Sequence, residues 1–106
     1  MTYRIVRHQD VKFDLAAIVD LIGNFAGYQT AYDKIGKIEQ ALAMLRLHPY
    51  IGSPRSEVMP GLRVLPVSRR AVICFTVDDA ARVVKIICVA YAGQDWQTLA
   101  RGREEP

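Results

Sequence analysis

The side chains of this chain that could bind a partner or do chemistry are mainly cationic. Arg63 follows Gly61-Leu62 near the expected start of the sheet, and Arg70 opens the strand expected at 70–77. A guanidinium group binds a carboxylate or phosphate through two parallel hydrogen bonds, which a lysine ammonium cannot do. Both arginines could instead form ion pairs within the fold, with Glu57 or Asp95. The full set of predicted binding residues is Arg55, Arg63, Arg69, Arg70, Lys85, Gln94 and Trp96.

The histidines and cysteines do not predict a metal centre. His8 and His48 are the only histidines, and we expect both at the surface or in turns. Cys74 and Cys88 fall inside apolar runs, where a free cysteine packs as a small buried hydrophobe. A zinc site needs four clustered ligands, and no such spacing occurs. The sequence therefore predicts no metal, no cofactor and no disulfide.

Length and composition predict one globular domain over residues 1–106, with residues 101–106 frayed. The chain has 106 residues, 51% of them hydrophobic, and no apolar run approaches the roughly 20 residues that span a bilayer. The N-terminal segment has no apolar signal sequence, so we expect a cytoplasmic protein. The net charge of +3 and the pI near 9.1 favour an acidic partner without establishing a nucleic-acid ligand.

Two amphipathic helices are predicted in the first half of the chain. Apolar residues recur at steps of four and three over 11–25 and again over 35–45. Asp10 is the expected cap of the first helix, and Thr30 resembles the start of the second. Residue 48 precedes a proline, which should end the second helix by about 47. A short glycine-containing loop between the two helices would join them into a hairpin.

Strand patterns follow a stretch at 48–61 that is rich in proline and glycine. A short first strand is expected at 2–7, and three more at 62–67, 70–77 and 82–91. The order β-α-α-β-β-β predicts an α+β fold, with the helical hairpin on one face of a small, mainly antiparallel sheet. The predicted core comprises Leu15, Ile18, Ile22, Ile38, Leu42, Leu45, Ile73, Phe75 and Ile86.

Strict alternation assigns the strand residues to two faces. Val84, Ile86 and Cys88 should share one face of the last strand, and Lys85 the other. The face that carries Arg70 and Lys85 among apolar groups should be only half covered. We expect a partner to bind there.

With this order of elements the chain resembles the RelE/ParE superfamily of toxins, and its ParE branch most closely. The resemblance covers nearly the whole chain, and it depends on the order and spacing of several short motifs taken together. Its residues include Tyr3-Arg4-Ile5, Asp14-Leu15, Ile18, Ala41-Leu42, Leu45, His48-Pro49, Gly52 to Arg55, Pro60-Gly61-Leu62-Arg63, Arg70 to Val77, Asp78-Asp79 and Tyr91-Ala92-Gly93-Gln94-Asp95-Trp96.

This resemblance implies the toxin of a type II toxin–antitoxin system, neutralised in a heteromeric complex with a small, acidic, cognate antitoxin. The antitoxin of such a pair wraps the toxin over its helical hairpin and sheet. ParE-like members inhibit DNA gyrase by direct protein contact, without acting as enzymes. RelE-like members cleave mRNA on the ribosome.

The tail after the last strand favours gyrase inhibition. In RelE-like members the last strand and the tail after it supply an arginine followed by a tyrosine or histidine, whereas here the matching stretch reads Gly93-Gln94-Asp95-Trp96. Glutamine carries no charge and an indole cannot accept a proton, so no catalytic residue is assigned.

Two alternative functions stay open. One is a ribosome-dependent endoribonuclease that binds phosphate through Arg63, Arg70 and Lys85, and the other is a binding domain that has lost toxicity.

Overall fold

The helices of the structure follow the predicted apolar stripes. In this computed structural model, which describes residues 2–104, helix α1 is Val11–Ala26 and helix α2 is Tyr28–Met44. Only Gly27 separates them, with a φ of 92° that side-chain-bearing residues rarely adopt. The glycine therefore provides the whole turn of the hairpin.

The helix starts were predicted less well than the stripes. Helix α2 begins two residues before Thr30. Asp10 does precede α1, but its side chain caps nothing. Its backbone N–H donates instead to Nδ1 of His8, 3.1 Å away.

The described residues form five strands, β1 Arg4–Arg7, β2 Ser53–Pro54, β3 Arg63–Val67, β4 Ala71–Asp78 and β5 Val83–Tyr91. They make one sheet with the order β1-β5-β4-β3-β2. Strand β1 pairs with β5 in parallel, and every other neighbouring pair is antiparallel. The sheet is therefore mixed but mainly antiparallel, as predicted. The short edge strand β2 lies within the stretch that was expected to be irregular.

The main core lies between the hairpin and one face of the sheet. Eight of the nine predicted core residues are buried in it, and Leu15 packs against it partly buried. Phe25 ends the predicted stripe of α1 but is 94% exposed. The stripe thus leaves the core at the last turn of α1.

A bulge in β5 overturns the predicted assignment of faces. Phe75 pairs with Ile86, yet the preceding Cys74 pairs with Cys88. Ile87 of β5 therefore has no pairing residue on β4 and forms a β-bulge. Beyond the bulge the alternation reverses. Cys88 therefore faces away from the hairpin, together with Cys74, whereas Val89 joins the hairpin core.

The face opposite the hairpin, which was predicted to be half covered, carries a further helix. A third helix, α3, spans Trp96–Gly102 and packs on β5 and β4. Its Ala100 is buried against the two cysteine side chains and Leu62 in a second apolar cluster. Both thiols are buried and free, as predicted, and the hydrogen bond with Cys88, together with burial, raises the pKa of Cys74.

The last described residues of the chain complete α3 and connect it to α1. Residues 101–102 complete α3, and Arg103 forms an ion pair with Asp14 of α1 through two hydrogen bonds of 2.6 and 2.7 Å. Glu105 and Pro106 lie outside the described residues.

This ion pair closes the edge of β5 beyond the end of β1. Strand β1 pairs only with the first half of β5. Further along, Asp14 accepts the N–H of Val89 at 3.0 Å and Arg103 donates to the carbonyl of Ile87 at 3.1 Å. The pair thus satisfies backbone groups that a longer β1 would have bonded, and it ties the hairpin layer to α3.

Candidate functional site

Three of the predicted binding residues meet in one cleft, where β5 ends and α3 begins. Arg70, Gln94 and Trp96 line a cavity of about 460 Å³. The fold therefore places the guanidinium group of Arg70, before β4, beside the amide of Gln94 and the indole of Trp96, after β5. The other lining residues are Val72, Ala90, Tyr91, Gly93, Asp95 and Gln97.

A tight turn after β5 builds this cleft. Ala92 and Gly93 both adopt positive φ angles, of 56° and 82°. The Ala92 N–H donates to the carbonyl of Arg70 at 3.1 Å, and the Gln94 N–H donates to that of Tyr91 at 3.2 Å. These bonds hold the start of α3 beside Arg70.

Asp95 in the cleft is engaged as a helix cap. Its carboxylate accepts the Thr98 N–H at 3.2 Å and the Thr98 hydroxyl at 2.6 Å. The hydroxyl bond, followed by the backbone bond, lowers the pKa of Asp95. A carboxylate with a lowered pKa is a weaker proton acceptor, so this geometry suits α3 formation better than base catalysis.

A second, more apolar groove lies on the hairpin side of Arg70; we call it the hairpin groove. Its volume is about 460 Å³, and its most exposed apolar side chains are Phe25, at 94%, and Leu21, at 52%. Lys34 at its rim donates to the Ser68 hydroxyl at 2.7 Å. The remaining lining residues are Ile22, Ala26, Thr30, Tyr91 and Ala92.

Sequence reasoning missed this groove because Phe25 was assigned to the core stripe. The available signal was Leu21, a large apolar residue off the stripe of α1. An apolar side chain on the polar side of a surface helix indicates a contact outside the core.

Arg63 does not join the cleft, and it forms neither of the two suggested ion pairs. Its guanidinium group donates to the carbonyls of Tyr50 and Gly52, at 2.8 and 2.6 Å. It also lies over the ring of Tyr50, 5.2 Å from the centroid. Arg63 thus anchors the loop after α2 to the sheet.

The other predicted cations are spread over the molecule. Lys85 pairs with Thr76 on β4, one residue after the partner of Arg63, so the two side chains point to opposite faces. Arg69 is exposed beside Arg70, in the turn before β4. Arg55 is exposed in the loop after β2. These cations do not form one continuous binding site.

A different polar cluster occupies the opposite end of β4. Tyr3 and Tyr50 both donate their phenol hydroxyls to the carboxylate of Asp79, the former at 2.7 Å. These bonds lower the pKa of Asp79, and the bond to Asp79 raises the pKa of Tyr50 to about 12. The guanidinium group of Arg82 lies over Tyr3, 6.0 Å from its centroid.

Within residues 2–104, no three His, Cys, Asp or Glu side chains are grouped so as to hold a metal ion. In the same part of the chain, no helix is long and apolar enough to cross a membrane.

The fold is shared with known toxins. The chain is similar to a chromosomal ParDE toxin–antitoxin system of P. aeruginosa, with 21% identity over 86% of this chain and 97% of that one, and a TM-score of 0.73. It is also similar to the RelBE2 toxin–antitoxin complex of Mycobacterium tuberculosis, with 17% identity, 87% and 100% coverage and a TM-score of 0.64. A doubly substituted RelE toxin of E. coli in the free state gives 15% identity, 96% coverage of both chains and a TM-score of 0.66.

At these identities the structural likeness shows the fold alone. No curated protein matches the chain. The decisive match is a family model, that of the ParE toxin of the type II toxin–antitoxin system parDE, which covers residues 5–96. It runs from the second residue of β1 to the first residue of α3, and includes Arg70, the turn after β5 and Trp96. The chain therefore belongs to the ParE toxin family of type II toxin–antitoxin systems.

Proposed function

We propose that this toxin inhibits DNA gyrase by binding the enzyme, and does not cut RNA. The observation that supports this is the set of residues in the tail after β5, together with the hydrogen bonds that they form. Where the resemblance to RelE-like ribonucleases calls for an arginine followed by a tyrosine or histidine, this chain has Gln94, a capping Asp95 and Trp96.

Metal-free RNA cleavage needs a proton acceptor near the ribose 2′-OH and cations near the phosphate. Asp95 has a lowered pKa and both of its oxygens are engaged by Thr98. A carboxylate in that position also repels a phosphate unless a cation lies between them. Loss of one positioned acid or base costs about 10²–10⁴ in rate, so loss of both leaves little activity.

Two assays on the purified protein distinguish the two mechanisms. We expect the toxin to inhibit gyrase supercoiling or to stabilise the cleaved gyrase–DNA complex, while ribosome-bound mRNA stays intact. Codon-specific cuts mapped by primer extension, with supercoiling unaffected, would establish the ribonuclease instead.

We further propose that a small acidic antitoxin, encoded beside this protein, covers the Arg70 end of the molecule. The hairpin groove and the cleft meet at Arg70, and together they offer exposed Phe25, the partly buried indole of Trp96 and two cations. An amphipathic segment with acidic flanks complements such a surface.

Co-expression with the neighbouring reading frame tests this assignment. The parent should retain the antitoxin through moderate salt, and Phe25→Asp should release it. Retention of the antitoxin by Phe25→Asp and by Arg70→Glu would exclude this surface.

A further inference from the structure

We infer that the end of the molecule opposite Arg70 is a second protein-docking surface, and that it binds the acidic surface of a folded target protein. We call it the turn-end patch. This inference rests on the proposed function in that it assigns the target and the antitoxin to separate ends. The patch comprises Tyr3, Arg46, Leu47, Tyr50, Ile51, Arg63 and Arg82.

The patch is brought together by four segments distant in sequence. The N–H of Tyr3 donates to the carbonyl of Arg46 at 2.8 Å, which places β1 beside the end of the hairpin. Asp79, in the β4–β5 turn, accepts hydrogen bonds from both Tyr3 and Tyr50. Arg63 of β3 completes the set through its bonds to the 50–52 loop.

Its composition is that of a binding interface. Tyrosine and arginine are enriched among the residues that dominate protein–protein affinity. Two large aliphatic side chains lie within the same short loop, Leu47 at 61% exposure and Ile51 at 45%. Such residues, clustered outside the core, indicate a surface that is covered in a complex.

The aromatic side chains of the patch are held in place before any partner binds. Tyr50 is fixed by Asp79 at its hydroxyl and by Arg63 over its ring. Side chains that are already ordered lose less conformational entropy on association. A rigid patch suits a folded partner, whereas the concave hairpin groove suits an inserted segment. None of the residues of the patch lines that groove or the Arg70 cleft.

The charges of the patch favour an acidic partner. Arg46 and Arg82 are exposed, and so is the adjacent Arg4. The two acidic groups of the turn are already engaged: Asp78 accepts the Ala81 N–H at 3.1 Å and Asp79 binds the two phenols. Both carboxylates keep their negative charge, but the three arginines of the patch together with Arg4 outnumber them, so the surface is cationic and complements an acidic one.

The two surfaces are far enough apart to be tested separately. Strand β4 runs from Ala71, paired with Tyr91, to Asp78, paired with Val83. Seven strand steps of about 3.3 Å separate the two ends by roughly 23 Å. A substitution at one end should therefore leave the other intact.

The test is a separation of functions with Leu47→Asp/Ile51→Asp. Phe13→Asp is a matched control, because Phe13 on α1 is 62% exposed, close to the 61% of Leu47. Each full-length variant is assayed for growth arrest on induction, for the concentration that half-inhibits purified gyrase, and for co-purification with the antitoxin. Thermal melting establishes that each is folded.

We expect Leu47→Asp/Ile51→Asp to raise the half-inhibitory concentration by roughly tenfold or more and to relieve growth arrest, because apolar anchors are replaced by charges that repel an acidic surface. Antitoxin binding should stay unchanged, and Phe13→Asp should behave as the parent. Arg46→Glu/Arg82→Glu should give the same loss without removing apolar surface.

Three results would overturn the inference: undiminished growth arrest by both double variants, loss of the antitoxin instead of the toxicity, or an equal effect of Phe13→Asp. If the parent arrests growth without inhibiting gyrase, the gyrase proposal alone fails, and growth arrest still tests the patch. A parent that never arrests growth would overturn both.

Discussion

Asp14 and Arg103 form a buried ion pair whose loss should destabilise the fold strongly. Their side chains are only 6% and 11% exposed, and each also bonds the backbone of β5. Removing one partner leaves a buried charge uncompensated, which costs about 3–5 kcal/mol. Urea denaturation should show this loss for Arg103→Ala. Arg101→Ala, at an exposed position of α3 two residues before Arg103, should cost clearly less; equal losses would mean that the ion pair is not the cause.

The bonds between Asp79 and the two phenols predict an unusual alkaline titration. The bond to Asp79 raises the pKa of Tyr50 to about 12 from an ordinary value of 10. The contribution of this bond to folding stability is therefore complete below about pH 10 and is lost as the pH rises through about 12. Tyrosinate absorbance should therefore keep rising near pH 12. Asp79→Asn should shift that late phase towards pH 10, and Asp78→Asn, its neighbour, should not. Coincident curves for Asp79→Asn and the parent would contradict the cluster.

At the scale of the elements, α2 is stabilised by its buried stripe. Leu42 is 2% exposed, whereas Met44, two residues later, is 52% exposed. Leu42→Ala should lower the free energy of unfolding by about 2–5 kcal/mol, since it leaves a cavity. Met44→Ala should change it by no more than about 0.5 kcal/mol. Denaturant titration of the two variants checks both values, and a Leu42→Ala variant as stable as the parent would place the stripe in solvent.

An element could be predicted from the sequence when its cause lies within its own residues. The apolar periodicity of α1 and α2 is contained in the residues themselves, and both helices formed where expected. The bulge near Cys88 is not local. It depends on β5 pairing with β1 and β4 at once, so alternation along one strand put Cys88 on the wrong face. Likewise, α3 is only seven residues long and is held by Asp95 and by tertiary contacts.

At the scale of the whole molecule, the sequence offered candidate residues but not their arrangement. Arg70, Gln94 and Trp96 do meet, because the turn after β5 folds back on the start of β4. Arg63 and Lys85 point to opposite faces, which depends on strand register and could not be read from residue type. The hairpin groove and the turn-end patch went unnoticed, since each joins residues from distant segments.

The whole molecule should gain thermal stability when the proposed antitoxin binds, because a ligand that binds only the folded state shifts the unfolding equilibrium. At a free antitoxin concentration about 100 times Kd, the gain is about 2.7 kcal/mol. In a domain of this size, that corresponds to a rise in Tm of roughly 10 °C or more. Differential scanning fluorimetry of the toxin with increasing antitoxin measures it.

The variants at the two ends should then respond differently. Phe25→Asp should melt as the parent does when alone, since Phe25 is 94% exposed, but should gain little from added antitoxin. Leu47→Asp/Ile51→Asp should gain as much as the parent. Because the surface at Arg70 is cationic, added salt should also reduce the gain for the parent. An antitoxin that protects Phe25→Asp fully would place its binding site away from the hairpin groove.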